Sequence, residues 1–130
     1  MMVGDTLFVH GGIFPIHISY GLENINRETQ AWLRGDADYP PSLDGDYNPV
    51  WARHYSNETT LENCTVLEQT LSAAQATRIV VAHTVQRNGI NSACDGQVWR
   101  VDVGLATYYG GTAQFLEIKG SEITVIKTRP

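Results

Sequence analysis

Two histidines in this sequence stand where an imidazole could meet a ligand. His10 closes the run Thr6-Leu7-Phe8-Val9 and is followed by Gly11-Gly12; His83 closes Ile79-Val80-Val81-Ala82 and is followed by Thr84. Each run is short, apolar and rich in strand formers, which predicts a buried strand. In open α/β sheets, ligands collect beyond the carboxyl ends of the strands. A histidine at such an end can aim a ring nitrogen out of the sheet, and the glycines after His10 let backbone or ligand approach closely. Two imidazoles from neighbouring strand ends could converge on a divalent metal. The alternative for each is an ordinary strand-end histidine bonded to a backbone group, and spacing alone does not choose between them.

Other chemistry-bearing residues are less persuasive. Asp44-Gly45-Asp46-Tyr47-Asn48 begins like a calcium loop. Such a loop needs glycine at its sixth position and a carboxylate at its twelfth; those positions hold Pro49 and Tyr55, which excludes it. Cys64 and Cys94 lie thirty positions apart without a CxxC pairing. That supports neither a thiolate metal site nor a disulfide, so a reducing compartment, the cytoplasm, is expected. Asn57-Glu58-Thr59 and Asn63-Cys64-Thr65 match the glycosylation pattern. The N-terminus lacks the basic start and long apolar stretch of a secretory signal, so both are read as chance matches.

The elements that would position the histidines can be read from the pattern. Asp5–His10 and Arg78–Ala82 predict the two buried strands. Between them, Leu22, Ile25, Thr29, Trp32 and Leu33 recur at helical spacing over 19–34, with Gly35 as a stop. Residues 35–49, with three prolines, two glycines and four aspartates, predict a surface loop. A short helix is expected around Trp51 and Tyr55. A longer one follows, opened by a Thr59/Glu62 capping box and marked by Leu61, Cys64, Leu67, Leu71 and Ala74. Asp95-Gly96 and residues 119–122 each predict a hairpin turn between strand-like runs. Helices joining buried strands, with a β-rich final third, point to an α/β layered fold with a mixed sheet.

At 130 residues and 42% hydrophobic, the chain is long enough to bury a core as one domain or part of one. A net charge of −5 offers no basic face for nucleic acid. No apolar run approaches the ~18 residues that a membrane span requires.

Five segments add a resemblance to these readings: LFVHGGIFPIHISYGLENINRE, PVWARHYS, VVAHTVQRNGIN and VWRVDVGL, with the proline-histidine stretch inside the first counted separately. In this order they resemble the C-terminal half of a calcineurin-like metallophosphoesterase, and within that superfamily the Shewanella-like protein phosphatases of the phosphoprotein phosphatase group. The likeness runs from Gly4 to about Ile118. It implies a partial calcineurin-like fold, mixed β-sheet layers with flanking helices and the N-terminal half missing, so that residues 1–130 are the C-terminal part of a single domain. It also implies a hydrolase: a two-metal phosphatase of phosphoric monoesters, of the phosphoprotein serine/threonine or tyrosine type, using manganese, iron or zinc.

By motif match, the metal-binding histidines of the family fall on His10 and His83. Arg53, in VWAR, is the candidate for gripping a substrate phosphate, because a planar guanidinium matches two phosphoryl oxygens; the alternative is a solvent-facing helix arginine. Arg100 and Asp102 share one strand face and are read as structural. His17 matches a histidine of some relatives and is assigned to loop packing, and His54 is expected to be exposed without a role. Ala82 stands where many relatives have glycine.

The family's other motifs lie upstream of its HGG segment: an Asp-x-His pair, the bridging aspartate with an arginine, and an Asn-His pair whose histidine serves as general acid. None is present here. The chain is therefore expected to supply half of the site, to hold no general acid and to be inactive alone. Its partners would be a phosphorylated protein or small phosphomonoester as substrate, with the missing half or a dimer partner over the exposed edge. Two alternatives remain: a non-catalytic binding or dimerisation protein derived from that fold, and a relative of the dinucleoside polyphosphate hydrolases.

Overall fold

Three short runs of strand-forming residues build the centre of the molecule in the computed structural model, which describes residues 1–128. Thr6–Phe8 (β2) and Arg78–Val81 (β3) lie side by side and parallel, with Leu7 opposite Ile79 and Phe8 opposite Val80. Val98–Arg100 (β5) extends the parallel set on the other side of β3. Met2–Val3 (β1) pairs antiparallel with β2, and Asn91–Ala93 (β4) pairs antiparallel with β5, giving the order β1-β2-β3-β5-β4. The sheet is therefore mixed, with antiparallel edges around a parallel centre.

Among the described residues, three α-helices flank it. Pro15–Tyr20 (α1) and Leu22–Arg34 (α2) replace the single helix expected over 19–34. Gly21, at φ 100°, separates them in a conformation favoured only for glycine. Leu61–Ala74 (α3) is capped by Thr60, whose side chain accepts from the Asn63 amide. The expected cap one residue earlier, Thr59, instead accepts from Arg100. Strand alternation sends Leu7, Ile79, Val81 and Val98 to the helical side, where they pack with Leu67, Leu71, Phe14 and Tyr55. The segment around Trp51 and Tyr55 forms turns rather than the expected helix. The Asn48 carbonyl accepts from the Trp51 and Ala52 amides and starts one turn, but the next carbonyl, Pro49 O, is taken by the Gly11 and Gly12 amides, so the turn does not propagate.

Gln114–Lys119 (β6) and Glu122–Lys127 (β7) form the expected second hairpin, a separate two-stranded ribbon. Between it and the other sheet face runs an apolar groove of about 710 Å³, lined in part by Phe8, Val80, Val101, Leu116 and Ile118. Arg78 ties the two together: it pairs with Asp5 at 3.2 Å, donates to Thr6 Oγ1 at 3.0 Å and reaches the Gly120 carbonyl at 3.4 Å.

The expectation of unbridged cysteines is overturned. Cys64 and Cys94 form a disulfide with a Cα–Cα distance of 5.3 Å. A spacing of thirty residues carries no information about it, because the first turns of α3 and the end of β4 meet only once the sheet is assembled.

Candidate metal and phosphate site

The parallel pair β2–β3 decides where the two histidines go. Backbone pairing continues past the strand ends: Val9 N donates to Val80 O at 3.1 Å, and Ala82 N donates to His10 O at 3.0 Å. In-register parallel strands thereby deliver His10 and His83 to the same rim. Their rings meet edge to face, centroids 4.8 Å apart, with His10 Nε2 3.0 Å from His83 Nδ1. Two imidazole nitrogens at that distance need a proton or a cation between them, since two lone pairs would repel. In the pair as it stands, one ring donates and the other accepts.

The spacing also suits a cation. Two nitrogens each bonded at about 2.0–2.1 Å to one ion, at roughly a right angle, stand about 3 Å apart. The residues present thus fit part of a metal shell, and only part. Among the described residues no group of three or more His, Cys, Asp or Glu side chains is arranged to hold an ion.

His83 sits under constraint. Its backbone is in the left-handed region at φ 62°, a conformation uncommon outside glycine that recurs at functional sites. Its Nε2 is buried with no hydrogen-bond partner among the described residues. Burial, the Arg53 cation and His10 hold its pKa below the usual histidine range, against the opposing pull of Asp102. A depressed pKa keeps the ring neutral, the form that offers a lone pair.

The two glycines after His10 have a specific use. A Cβ on Gly11 would fall 2.8 Å from the carbonyl oxygens of Pro49 and Val50 and 2.9 Å from that of Ala52. The Gly11 and Gly12 amides both donate to Pro49 O, at 2.8 and 3.1 Å. It is backbone, then, that approaches the glycine pair, and the 48–52 turn is seated on it. That turn carries Trp51, 65% exposed and edge-on to the His83 ring at 5.2 Å, and leads directly into Arg53. Arg53 is exposed but does not point freely into solvent: Nη1 donates to Thr84 Oγ1 at 2.8 Å and to His83 O at 3.3 Å.

The remaining sequence candidates fall into place around this rim. Arg100 binds the Tyr55 carbonyl at 2.7 Å, Asn91 at 3.2 Å and Thr59, stapling the 55–59 segment to the sheet. Asp102 accepts from the Gly104 amide at 3.0 Å. His54, expected to be exposed, is half-buried between aromatic rings, stacked on Tyr47 at 5.3 Å and edge-on to Phe14 at 5.0 Å. His17 is buried, and its Nδ1 accepts from the Phe14 amide at 3.1 Å at the start of α1.

His17 yields a pH prediction. Burial lowers its pKa, so the folded state favours the neutral ring while the unfolded chain protonates near the ordinary value. Its contribution to stability is complete above about pH 6.5 and is lost as pH falls through the depressed folded value. Urea unfolding at pH 7.5 and 5.5 is expected to show a loss in wild type that His17→Gln reduces. An unchanged pH response in the variant would contradict the assignment.

The polar residues after His83 were not legible as site components in the sequence. Thr84 holds Arg53 in the folded chain, with Ser56 and Gln86 bonded behind it, and the one signal of Thr84 was position, directly after a strand-end histidine.

An α/β layer with paired imidazoles on the rim of its parallel strands is the class that fold and site together define. No family model matches the chain. It is similar to "Shewanella-like protein phosphatase 2" of Arabidopsis thaliana, 37% identical over 99% of this chain and 35% of that protein. Among solved structures it is similar to a "Cold-Active Protein Tyrosine Phosphatase", with a TM-score of 0.64, 26% identity, and coverage of 86% of this chain and 34% of that one. A cold-active protein-tyrosine phosphatase of a psychrophile Shewanella species shares the fold at a TM-score of 0.69 and 24% identity, over 93% of this chain and 38% of that one. The relationship implied by the sequence motifs is the one found. The chain spans about a third of the length of these proteins.

Proposed function

We propose that residues 1–130 are the C-terminal part of a single calcineurin-like metallophosphoesterase domain and supply half of the two-metal site of a phosphatase. The observation that carries this reading is the approach of His10 Nε2 to His83 Nδ1 at 3.0 Å on the common strand rim. The substrate class is a phosphoric monoester, on a phosphorylated protein (serine/threonine or tyrosine) or a small molecule. The names of the similar proteins support the protein-phosphate reading.

In the complete domain two divalent ions, manganese, iron or zinc, would be held by His10 and His83 together with carboxylate and amide ligands from outside the described residues. Such a pair supplies Lewis-acid charge and a nucleophile at neutral pH. This chain's own contribution is narrower. His10 and His83 offer ring nitrogens, and the lowered pKa of His83 favours its neutral, ligating form. Arg53 faces the phosphoryl oxygens and balances their charge. The leaving oxygen takes its proton from a group this segment does not contain.

The apolar groove between sheet and ribbon is assigned to the rest of the domain, which would bury Phe8, Phe115 and Leu116. No helix among the described residues is long and apolar enough to cross a membrane. A cytoplasmic location remains the proposal, and the Cys64–Cys94 bridge makes it testable: protein alkylated directly in its own cells should show two free thiols there, and none in an oxidising compartment.

The test of the half-site reading is activity. The pure 130-residue chain is expected to show no manganese-dependent hydrolysis of p-nitrophenyl phosphate above buffer. Turnover that copurifies with the chain and vanishes on chelation would refute it.

A further inference from the structure

We propose that Thr84 is a positioning residue that presents Arg53 to the phosphoryl group, an inference that rests on the phosphate-binding reading of Arg53 given above. A guanidinium has two faces for bidentate recognition, one between its two terminal nitrogens and one between Nε and Nη2. Thr84 Oγ1 and the His83 carbonyl both take Nη1, at 2.8 and 3.3 Å. That removes the first face and leaves Nε and Nη2 without a partner among the described residues, with the long side chain held in one orientation.

The anchor is itself anchored. Thr84 Oγ1 lies 2.7 Å from Ser56 Oγ, so the two hydroxyls share a hydrogen bond. Gln86 Nε2 donates to the carbonyls of Ser56 and Thr84 at 2.9 and 2.8 Å, and its Oε1 accepts from Asn91 Nδ2 at 3.0 Å. The Gln86 amide donates to Asp102 O at 2.7 Å. A continuous run of polar contacts therefore leads from the Arg53 guanidinium to the sheet edge at β4–β5. The functional consequence is entropic. An exposed arginine loses several rotatable bonds of freedom when it grips an anion, and a guanidinium fixed beforehand loses less. Because Nη1 is tied to His83's own carbonyl, the same contact sets the guanidinium beside the imidazole pair.

The experiment is a titration of the bridged 130-residue chain with inorganic phosphate, followed by the backbone amide resonances of His83 and Thr84, which lie against the guanidinium, alongside a thermal melt of every variant. Wild type is expected to show a saturable shift that Arg53→Ala abolishes. Thr84→Val keeps the shape but removes the hydroxyl, and is expected to weaken phosphate binding about tenfold, as loss of a hydrogen bond to a charged group does. Thr84→Ser should restore binding to within about twofold by the same reasoning. Undiminished binding in Thr84→Val, with Arg53→Ala still dead, would overturn the positioning role and leave the phosphate reading intact. A fall in binding that tracks a fall in melting temperature and is not rescued by serine would also overturn it, as structural damage. Equal binding by wild type and Arg53→Ala, or none by either, would sink the phosphate reading and this role with it.

Discussion

His10→Ala and His83→Ala, each made in protein containing the whole catalytic domain, are each expected to cut bound divalent metal and phosphomonoesterase activity at least about tenfold, the scale of losses already seen when groups around a metal shell are removed. Removing either member of a pair whose nitrogens stand 3.0 Å apart leaves the other without the partner that fixes its ring. His83 should be the more sensitive. Its ring is half-buried, wedged between His10 and Trp51 on a left-handed backbone, whereas His10 is exposed. Metal content by elemental analysis, read beside activity, separates ligand loss from unfolding. Full metal occupancy in either variant would end the assignment of that histidine.

The second large effect concerns stability. The Cys64–Cys94 bridge closes a loop of thirty residues, and on chain-entropy grounds a loop of that size contributes about 3–4 kcal/mol. It also joins the first turns of α3 to the β4–β5 hairpin, where Arg100 already holds Tyr55 and Thr59. The Cys64→Ser/Cys94→Ser protein is therefore expected to unfold in urea with about 3 kcal/mol less stability than the oxidised wild type, and reduced wild type should match it. A serine variant as stable as the oxidised chain would show that the bridge contributes nothing to stability.

Both predictions turn on features that the sequence exposed to different degrees. The parallel strands and their terminal histidines were readable because buried strands announce themselves as apolar runs bounded by glycine or small polar residues. The two hairpins were readable for a similar reason: Asp95-Gly96 and Lys119-Gly120 are turn chemistry between strand-like segments. What failed was whatever depends on a group's choice of distant partner. Gly11 and Gly12 take the Pro49 carbonyl and stop the helix expected at Trp51; Thr59 leaves its cap for Arg100; Cys64 finds Cys94 only across an assembled sheet. His54 looked solvent-facing because its aromatic neighbours, Phe14 and Tyr47, come from elsewhere in the chain. The site shows the same division. His10, His83 and Arg53 stood out by residue type and motif, while Thr84 and Ser56, ordinary hydroxyls in sequence, acquire meaning only from the 2.8 and 2.7 Å contacts that hold the arginine.

The convergence of two imidazoles on one ion is the claim on which the function rests, and a zinc titration of the bridged chain followed by its histidine ring resonances tests it most directly. The account predicts that signals of His10 and His83 move together and saturate at a single equivalent, while the buried His17 and the aromatic-packed His54 stay still. Movement of only one of the pair, or a gradual drift of all four histidines alike, would contradict it.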